Sequence, residues 1–187
     1  MKKFVTLFGL LVFAGLCAAP TVSAGWKPSS NETAEEQNVA DMEVAEVIVE
    51  FKKSDPAMMA FFDKAYGYAV FPTVAKAGIG IGAAHGTGKV YEKGVMIGKT
   101  TLTQLTIGFQ LGGQAYSEII FFEDAGALAH FKGGNFELGA QASAVAATAG
   151  ASADADYSGG VAIFTIAKGG LMYEASVGGQ KFSFEAK

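Results

Sequence analysis

A change of texture at Tyr68 restricts the fold more than any other feature of this chain. From there to the C-terminus glycine recurs at short intervals, and apolar residues alternate with small or polar ones. Alternation with a period of two, punctuated by turn-forming dipeptides, marks antiparallel strands rather than helices. In "QLTIGFQL", Leu105, Ile107, Phe109 and Leu111 alternate with Gln104, Thr106, Gly108 and Gln110, which predicts one buried face and one small, polar face. "AVFP" opens the series, and "AGIGIGAAHGTGKVYEKG" predicts two strands around a turn at His85 to Gly88. "AYSEIIFF", "NFELGAQASAVAATAGA", "GGVAIFTIA" and "GGLMYEASVGGQKFSF" extend the series. At ordinary strand length this amounts to about eight to ten strands. A short helix in "EDAGALAHF", Glu123 to Phe131, interrupts them.

One phrase is written twice, as "QLGGQAYS" from Gln110 to Ser117 and as "SVGGQKFS" from Ser176 to Ser183. A tight two-residue hairpin turn needs positive φ at both central positions, and glycine supplies it without steric penalty. Gly112-Gly113 and Gly178-Gly179 are therefore predicted hairpin corners, each followed by an aromatic on the return strand. Read this way, the repeat is a repeated hairpin and not a repeated active site. So many strands, with glycine where sheets bend, predict a strongly curved antiparallel sheet or a closed barrel, and closure would remove exposed edges. The fold class is α+β, because helices come first.

The helices are predicted over 33–66. "TAEEQNVADMEVAEVIVEFKK" sets Ala40, Val44, Val47, Ile48 and Phe51 at helical spacing, with acids around them and Lys52-Lys53 at the C-terminal end, where cations suit the helix dipole. A membrane-surface helix is usually rich in Lys and Arg, so an acidic one is expected to pack on its own domain. In "SDPAMMAFFDKAYG", Ser54 or Asp55 can cap, Pro56 suits the first helical position, and Met58, Phe61, Phe62 and Ala65 form the apolar stripe.

Ahead of all this, Lys2-Lys3, an apolar run from Phe4 to Leu16 and Val22-Ser23-Ala24 are the three parts of a secretory signal peptide over residues 1–24. Leu16 before Cys17 departs from a lipoprotein signal, so simple cleavage is expected, leaving a single domain over 25–187 without cysteine. That domain carries 12 lysines, no arginine and 18 acids, a formal net charge of −6. Phosphate neutralisation needs clustered Lys and Arg, so nucleic acid is not an expected partner.

Catalytic signatures are weak. "GVMIGKT" has three residues between its glycines where a phosphate-binding loop needs four, and a strand pattern follows instead of a helix. His85 and His130 have no cysteine to join them in a metal site, and no Gly-x-Ser-x-Gly is present. Glu118 and Glu174, beside Tyr116 and Tyr173 on strands, are expected by default to face outward, a carboxylate pair inside the sheet being the alternative. No catalytic residue, metal or cofactor is expected.

"GYAVFPTVAKAGIGIGAAHGTGKVYEKG", "TLTQLTIGFQLGGQAYSEIIFF", "FELGAQASAVA" and "KGGLMYEASVGGQKFSF" together resemble the SYLF domain, a lipid-binding module, over Val47 to Phe184. The resemblance implies a non-enzymatic module that binds phospholipid. Eukaryotic relatives associate with phosphoinositides and, in some, with actin, and their lipid contact is attributed largely to a basic amphipathic N-terminal segment. Here the corresponding helix is acidic outside, with only Lys52 and Lys53 nearby, so the phosphoinositide preference does not carry over. The domain body does, over 68–185, with Lys76, Lys99, Lys168 and Lys181 as candidate head-group contacts; for each the alternative is a solvated surface charge. The expected protein is exported, periplasmic or associated with the outer envelope, and binds phospholipid or another amphiphile. The rival reading is a structural or assembly protein of the envelope that docks a protein partner.

Overall fold

The computed structural model describes residues 34–139, 142–169 and 177–187, with the backbone alone at 80 and 107–111. The chain divides into two units, Met1–Glu32 and Thr33–Lys187. The leader over 1–24, the strand expected over 170–176 and Glu174 lie outside the described residues.

Helix α1 spans Ala34–Ser54, with Glu35 and Glu36 in its first turn and Lys52 and Lys53 in its last. Val44, Val47 and Phe51 are buried and Ile48 packs beside them, so the helix rests on its own domain. Each such side chain contributes about 1.5–3 kcal/mol when fully buried. An ion pair from Lys89 to Asp41 fastens the helix to the sheet. Asp55 caps a 3-10 turn, Pro56–Met58, and α2, Met59–Lys64, follows. Met58 is buried, and the rings of Phe61 and Phe62 pack against Phe121, tilted and edge-on, with centroids 5.4 and 4.9 Å away.

Two very long strands then make one ribbon: β1, Gly67–Glu92, of 26 residues, and β2, Val95–Phe122, of 28, paired antiparallel throughout. Their connection is the two-residue turn Lys93-Gly94, with φ of 49° and 80°. Positive φ at both positions is what a turn matched to strand twist requires. The corner expected at His85–Gly88 is instead continuous strand, opposite Thr103–Thr100. Its glycines answer a different need. A Cβ on Gly88 would lie 2.4 Å from the Val70 carbonyl oxygen, and one on Gly86 would lie 2.9 Å from Val74 Cγ2. The later length of β1 thus lies directly against its earlier length, and only glycine permits that approach.

Gly112-Gly113 is likewise no corner: both residues lie within β2, paired with Gly78 and Ala77. Gly112 alone of the two has a positive φ, 122°, whereas a hairpin turn needs both. Gly178-Gly179 does form a turn, immediately before β5.

β4, Val161–Gly169, pairs with β2 over Ala115–Phe122; β5, Gln180–Ala186, pairs with β2 over Gly98–Gln104; and β3, Val145–Ala146, runs parallel to β4. The sheet is therefore mixed, and its strand order, β1-β2-β4-β3 with β5 on β2, is an open path. This corrects the expectation of a wholly antiparallel, strongly curved sheet or closed barrel. Glycine here serves close contact between lengths of one ribbon and local register shifts, so its abundance does not signal closure or a strong curl of the whole sheet. Among the described residues the eight to ten expected strands reduce to five, in part because the expected corners lie inside strands. The stretch from Phe136 also departs from the expected long strand: its described residues make isolated bridges, β3 and a 3-10 turn at Ala151–Asp154.

Helix α3, Ala125–Lys132, stands where a short helix was expected, capped by Asp124, which accepts from Ala127 N at 2.8 Å. It covers one sheet face with Leu128 and Phe131, beside Phe71, Phe122, Phe136 and Phe182, while α1 and α2 cover Phe121 and Phe164 on the other.

Candidate functional site

Far from the Lys93-Gly94 turn, the ribbon bends at Gly78, where a Cβ would lie 2.4 Å from Gly82 Cα. β2 answers with a register irregularity, so that Ile79 pairs with Leu111 and Ile81 with Ile107. On the outer face of this elbow Ile79, Ile81 and Leu105 are 81%, 66% and 78% exposed. Leu105 is directly opposite Ala83, so the side chains beyond the bend share one face. The even-numbered partners Gly82, Ala84 and Gly86 turn inward, and the period of two leaves the isoleucines on the solvent side. No Asp or Glu occurs between Tyr68 and Tyr91 or between Val95 and Ser117, although the chain has 18. These two acid-free stretches were readable in the sequence as a charge asymmetry, but net charge summed over the chain concealed them.

The four candidate lysines do not form one cluster. Lys76, on β1 opposite Gln114, is 5% exposed, and burial pushes its ammonium down from the usual lysine value. Lys168 is exposed at the end of β4 nearest the elbow and donates to Thr73 Oγ1 at 3.1 Å. Lys99 lies opposite Lys89 and Glu185, and Lys181 on β5 pairs with Glu137 at 3.4 Å. A hollow of about 450 Å³ instead gathers Lys52 and Lys93, each over an aromatic ring, with Asp63 and Tyr68. His85 is exposed on β1, while His130 packs edge-on against Phe136 with ring centroids 5.2 Å apart. Among the described residues no three His, Cys, Asp or Glu side chains gather to hold a metal ion.

A larger cleft, about 640 Å³, opens beside β4 at the opposite end of that strand from Lys168. Its walls come from residues near Phe136–Gly139, Ala142–Val145 and Asp154–Gly159.

The sheet interior holds what sequence reasoning missed. Glu118 is fully buried instead of facing outward, and so is Gln180. Gln180 Nε2 donates to Glu118 Oε2 at 2.9 Å and to the Tyr116 hydroxyl at 3.1 Å. Glu118 Oε1 and Gln180 Oε1 have no hydrogen-bond partner. Burial pushes the Glu118 carboxyl up to about 8 against the weaker pull of the Gln180 hydrogen bond. Burial, and then the Glu118 charge, also pushes the Tyr116 phenol up. The two copies of the Gly-Gly-Gln phrase meet here: the glutamine of the second reaches the tyrosine of the first. Beside this knot, Ser117 Oγ donates to the Pro72 carbonyl at 2.8 Å, closing the bulge between Phe71 and Val74.

The arrangement is α+β, helices against a glycine-rich mixed sheet with an apolar elbow. The chain contains a Ysc84/SYLF-family domain: the family model described as "Las17-binding protein actin regulator" matches residues 103–187. A similar protein is the beta cell expansion factor A of Aeromonas veronii, 30% identical over 155 residues. The match covers 81% of this chain and 58% of that protein, so the chain spans little more than half the relative's length. The family match begins at Thr103, inside β2, so the β1 strand that pairs with it lies outside the matched residues.

Proposed function

We propose that this chain is an exported, non-enzymatic module that associates with phospholipid surfaces through the β1/β2 elbow. The carrying observation is the exposure of Ile79, Ile81 and Leu105 on a part of the ribbon without acids, 68–91 and 95–117. An apolar tip with no like charge beside it can enter the interfacial layer of a bilayer at low electrostatic cost, even though the whole chain is acidic. Lys168 lies at the same end of the sheet and is the candidate lysine best placed for a head group. Membership of a lipid-associating family supports this reading, and the leader pattern of residues 1–24 supports export to the periplasm or outer envelope. The actin-regulator description belongs to the family model, and the activity of the Aeromonas protein to that protein.

In vesicle flotation, the mature chain should float with phospholipid vesicles, and the combined substitution of Ile79, Ile81 and Leu105 by Asp should reduce the floating fraction at least tenfold. Equal flotation of the two would overturn the elbow as the contact. The rival reading, an envelope assembly protein, draws on Val39, Met42 and Val49, which are exposed along α1. It requires a stable oligomer or complex whose size is indifferent to lipid, which light scattering with and without vesicles distinguishes.

A further inference from the structure

Hydrogen-bond donors stand on both sides of the elbow, at matching distances from its tip. Beyond Ile81 the exposed residues of β1 are Ala83, His85 and Thr87, and those between them are buried. His85 is opposite Thr103 on β2, and Thr103 is opposite Lys181 on β5. An imidazole, a hydroxyl and an ammonium thus form one cross-strand row, exposed on the face that carries Ile81 and Leu105. On the other side, before Ile79, the exposed residues are Ala77, Ala75 and Thr73. Ala75 pairs with Ala115, and Ala115 with Gly169, which brings Lys168 to within a residue of the level of Ala75. Lys168 is exposed and donates to the Thr73 hydroxyl at 3.1 Å. Counted along β1, Ala75 precedes Ile79 by as many residues as His85 follows Ile81, so each flank lies roughly 13 Å of strand from the nearer isoleucine.

We propose that the elbow enters a phospholipid surface as a wedge whose depth is fixed by these two flanks, Lys168 with Thr73 on one side and His85, Thr103 and Lys181 on the other, which hold lipid phosphates. This rests on the reading of the elbow as the membrane contact and adds where the head groups sit and where insertion stops. A shallower position leaves Ile79, Ile81 and Leu105 in water, and a deeper one takes the donors into hydrocarbon that offers no acceptor. Phosphate is the acceptor at the level between, and its bonds to an ammonium are charge-assisted. Each lysine can lay its stem along the alanine-lined slope and keep its head at that level. Glu137 shares Lys181 at 3.4 Å, so Lys168 is the stronger of the two cationic contacts.

The test is flotation of the mature chain with vesicles of phosphatidylcholine and phosphatidylglycerol in a three-to-one mixture. Lys168→Glu combined with Lys181→Glu should lower the floating fraction at least tenfold. Lys53→Glu combined with Lys64→Glu makes the same change of net charge on exposed helix positions and should alter it less than twofold. Should the first pair lose the native circular dichroism spectrum, Lys168→Ala with Lys181→Ala carries the same test, with a drop of about threefold expected. Depth is read from nitroxide labels on Ala83→Cys and Thr87→Cys, since the chain's single cysteine, Cys17, lies in the leader. On vesicles the label at 83 should collide mainly with oxygen and the label at 87 with a water-soluble nickel complex. An unsubstituted protein that does not float overturns the elbow reading and the flanks together. Flotation that needs Ile79, Ile81 and Leu105 but is indifferent to Lys168 and Lys181, or that falls equally with the Lys53 and Lys64 pair, overturns the flanks alone. Labels at 83 and 87 equally open to the nickel complex overturn the fixed depth.

Discussion

Two fully buried carboxylates, Asp55 and Glu118, stand in opposite states. Asp55 joins the helical region to the 3-10 turn at Ala151–Asp154: its oxygens accept from Ala57 N at 3.1 Å, Gly150 N at 3.1 Å and Ser152 N at 2.7 Å. Burial pushes this carboxyl up, but the hydrogen bonds from Ser152, Gly150 and Ala57 outweigh it and hold the group below the ordinary aspartate value. Glu118 has one amide donor, Gln180, and an oxygen with no partner, so burial wins and the acid is held protonated well into the neutral range. Burial alone does not decide whether an acid is charged. The number of N–H groups aimed at it does.

The sharpest way to break the contrast is Glu118→Gln. A carboxyl with a raised folded-state value favours folding most below its unfolded value of 4.5, and that advantage disappears as pH rises through about 8. Stability of the natural chain should therefore fall between pH 5 and pH 9, by about 4 kcal/mol at the upper end. The Gln variant, with nothing to ionise, should show a nearly flat profile in urea titrations at several pH values and be the more stable protein at pH 9. A parallel decline in both would assign the slope to other groups.

Next in size is Asp55→Ala, which leaves three backbone N–H groups without their charged acceptor. At pH 7 the loss should be about 3 kcal/mol, since hydrogen bonds to charged groups contribute roughly 1.5–3 kcal/mol. The sign is the reverse of that at Glu118. With the folded-state value depressed, the contribution is present above 3.8 and is lost as pH falls through the folded value, so the deficit of the variant should shrink in acid. A deficit independent of pH would mean that Asp55 acts through packing alone.

Gln180→Leu sharpens the comparison from the donor side. Without its amide, Glu118 should titrate still higher, moving the midpoint of the stability profile above about 8, with a cost near 1 kcal/mol for the lost hydrogen bonds. An unmoved midpoint would separate Gln180 from the titration. The smallest effect belongs to the exposed pair Lys181–Glu137, where Lys181→Ala should change stability by less than about 0.5 kcal/mol, as is usual for surface ion pairs. A larger loss would give that pair a structural role that its exposure does not suggest.

Much of the helical region could be read directly. The spacing of Val44, Val47 and Phe51, the cap at Asp55 and the proline after it all operate within a few residues, and each appears as expected. The short helix before Phe131 and the strand over Val161–Gly169 were legible for the same reason. The glycines misled because one residue type serves two purposes. Gly94 makes a turn, whereas Gly86 and Gly88 make room for Val74 and Val70, and both kinds are written with the same letter. Of the site, the lysines were visible as residues but not as a set, and the acid-free stretches at 68–91 and 95–117 were visible but unweighed. The cleft was not legible, since its walls are drawn from segments separated along the chain.

Period and capping chemistry were enough to establish that this chain begins with amphipathic helices and continues as a strand-rich, glycine-punctuated body. Those signals are short-ranged, and neighbouring residues carry them completely. Which glycines turn the chain, whether the sheet closes, that Glu118 faces inward to Gln180, and that Ile79, Ile81 and Leu105 face outward were settled in three dimensions. Each depends on surfaces meeting across long stretches of chain, as Glu118 and Gln180 do at a separation of 62 residues. No local pattern encodes the free energy of such a meeting.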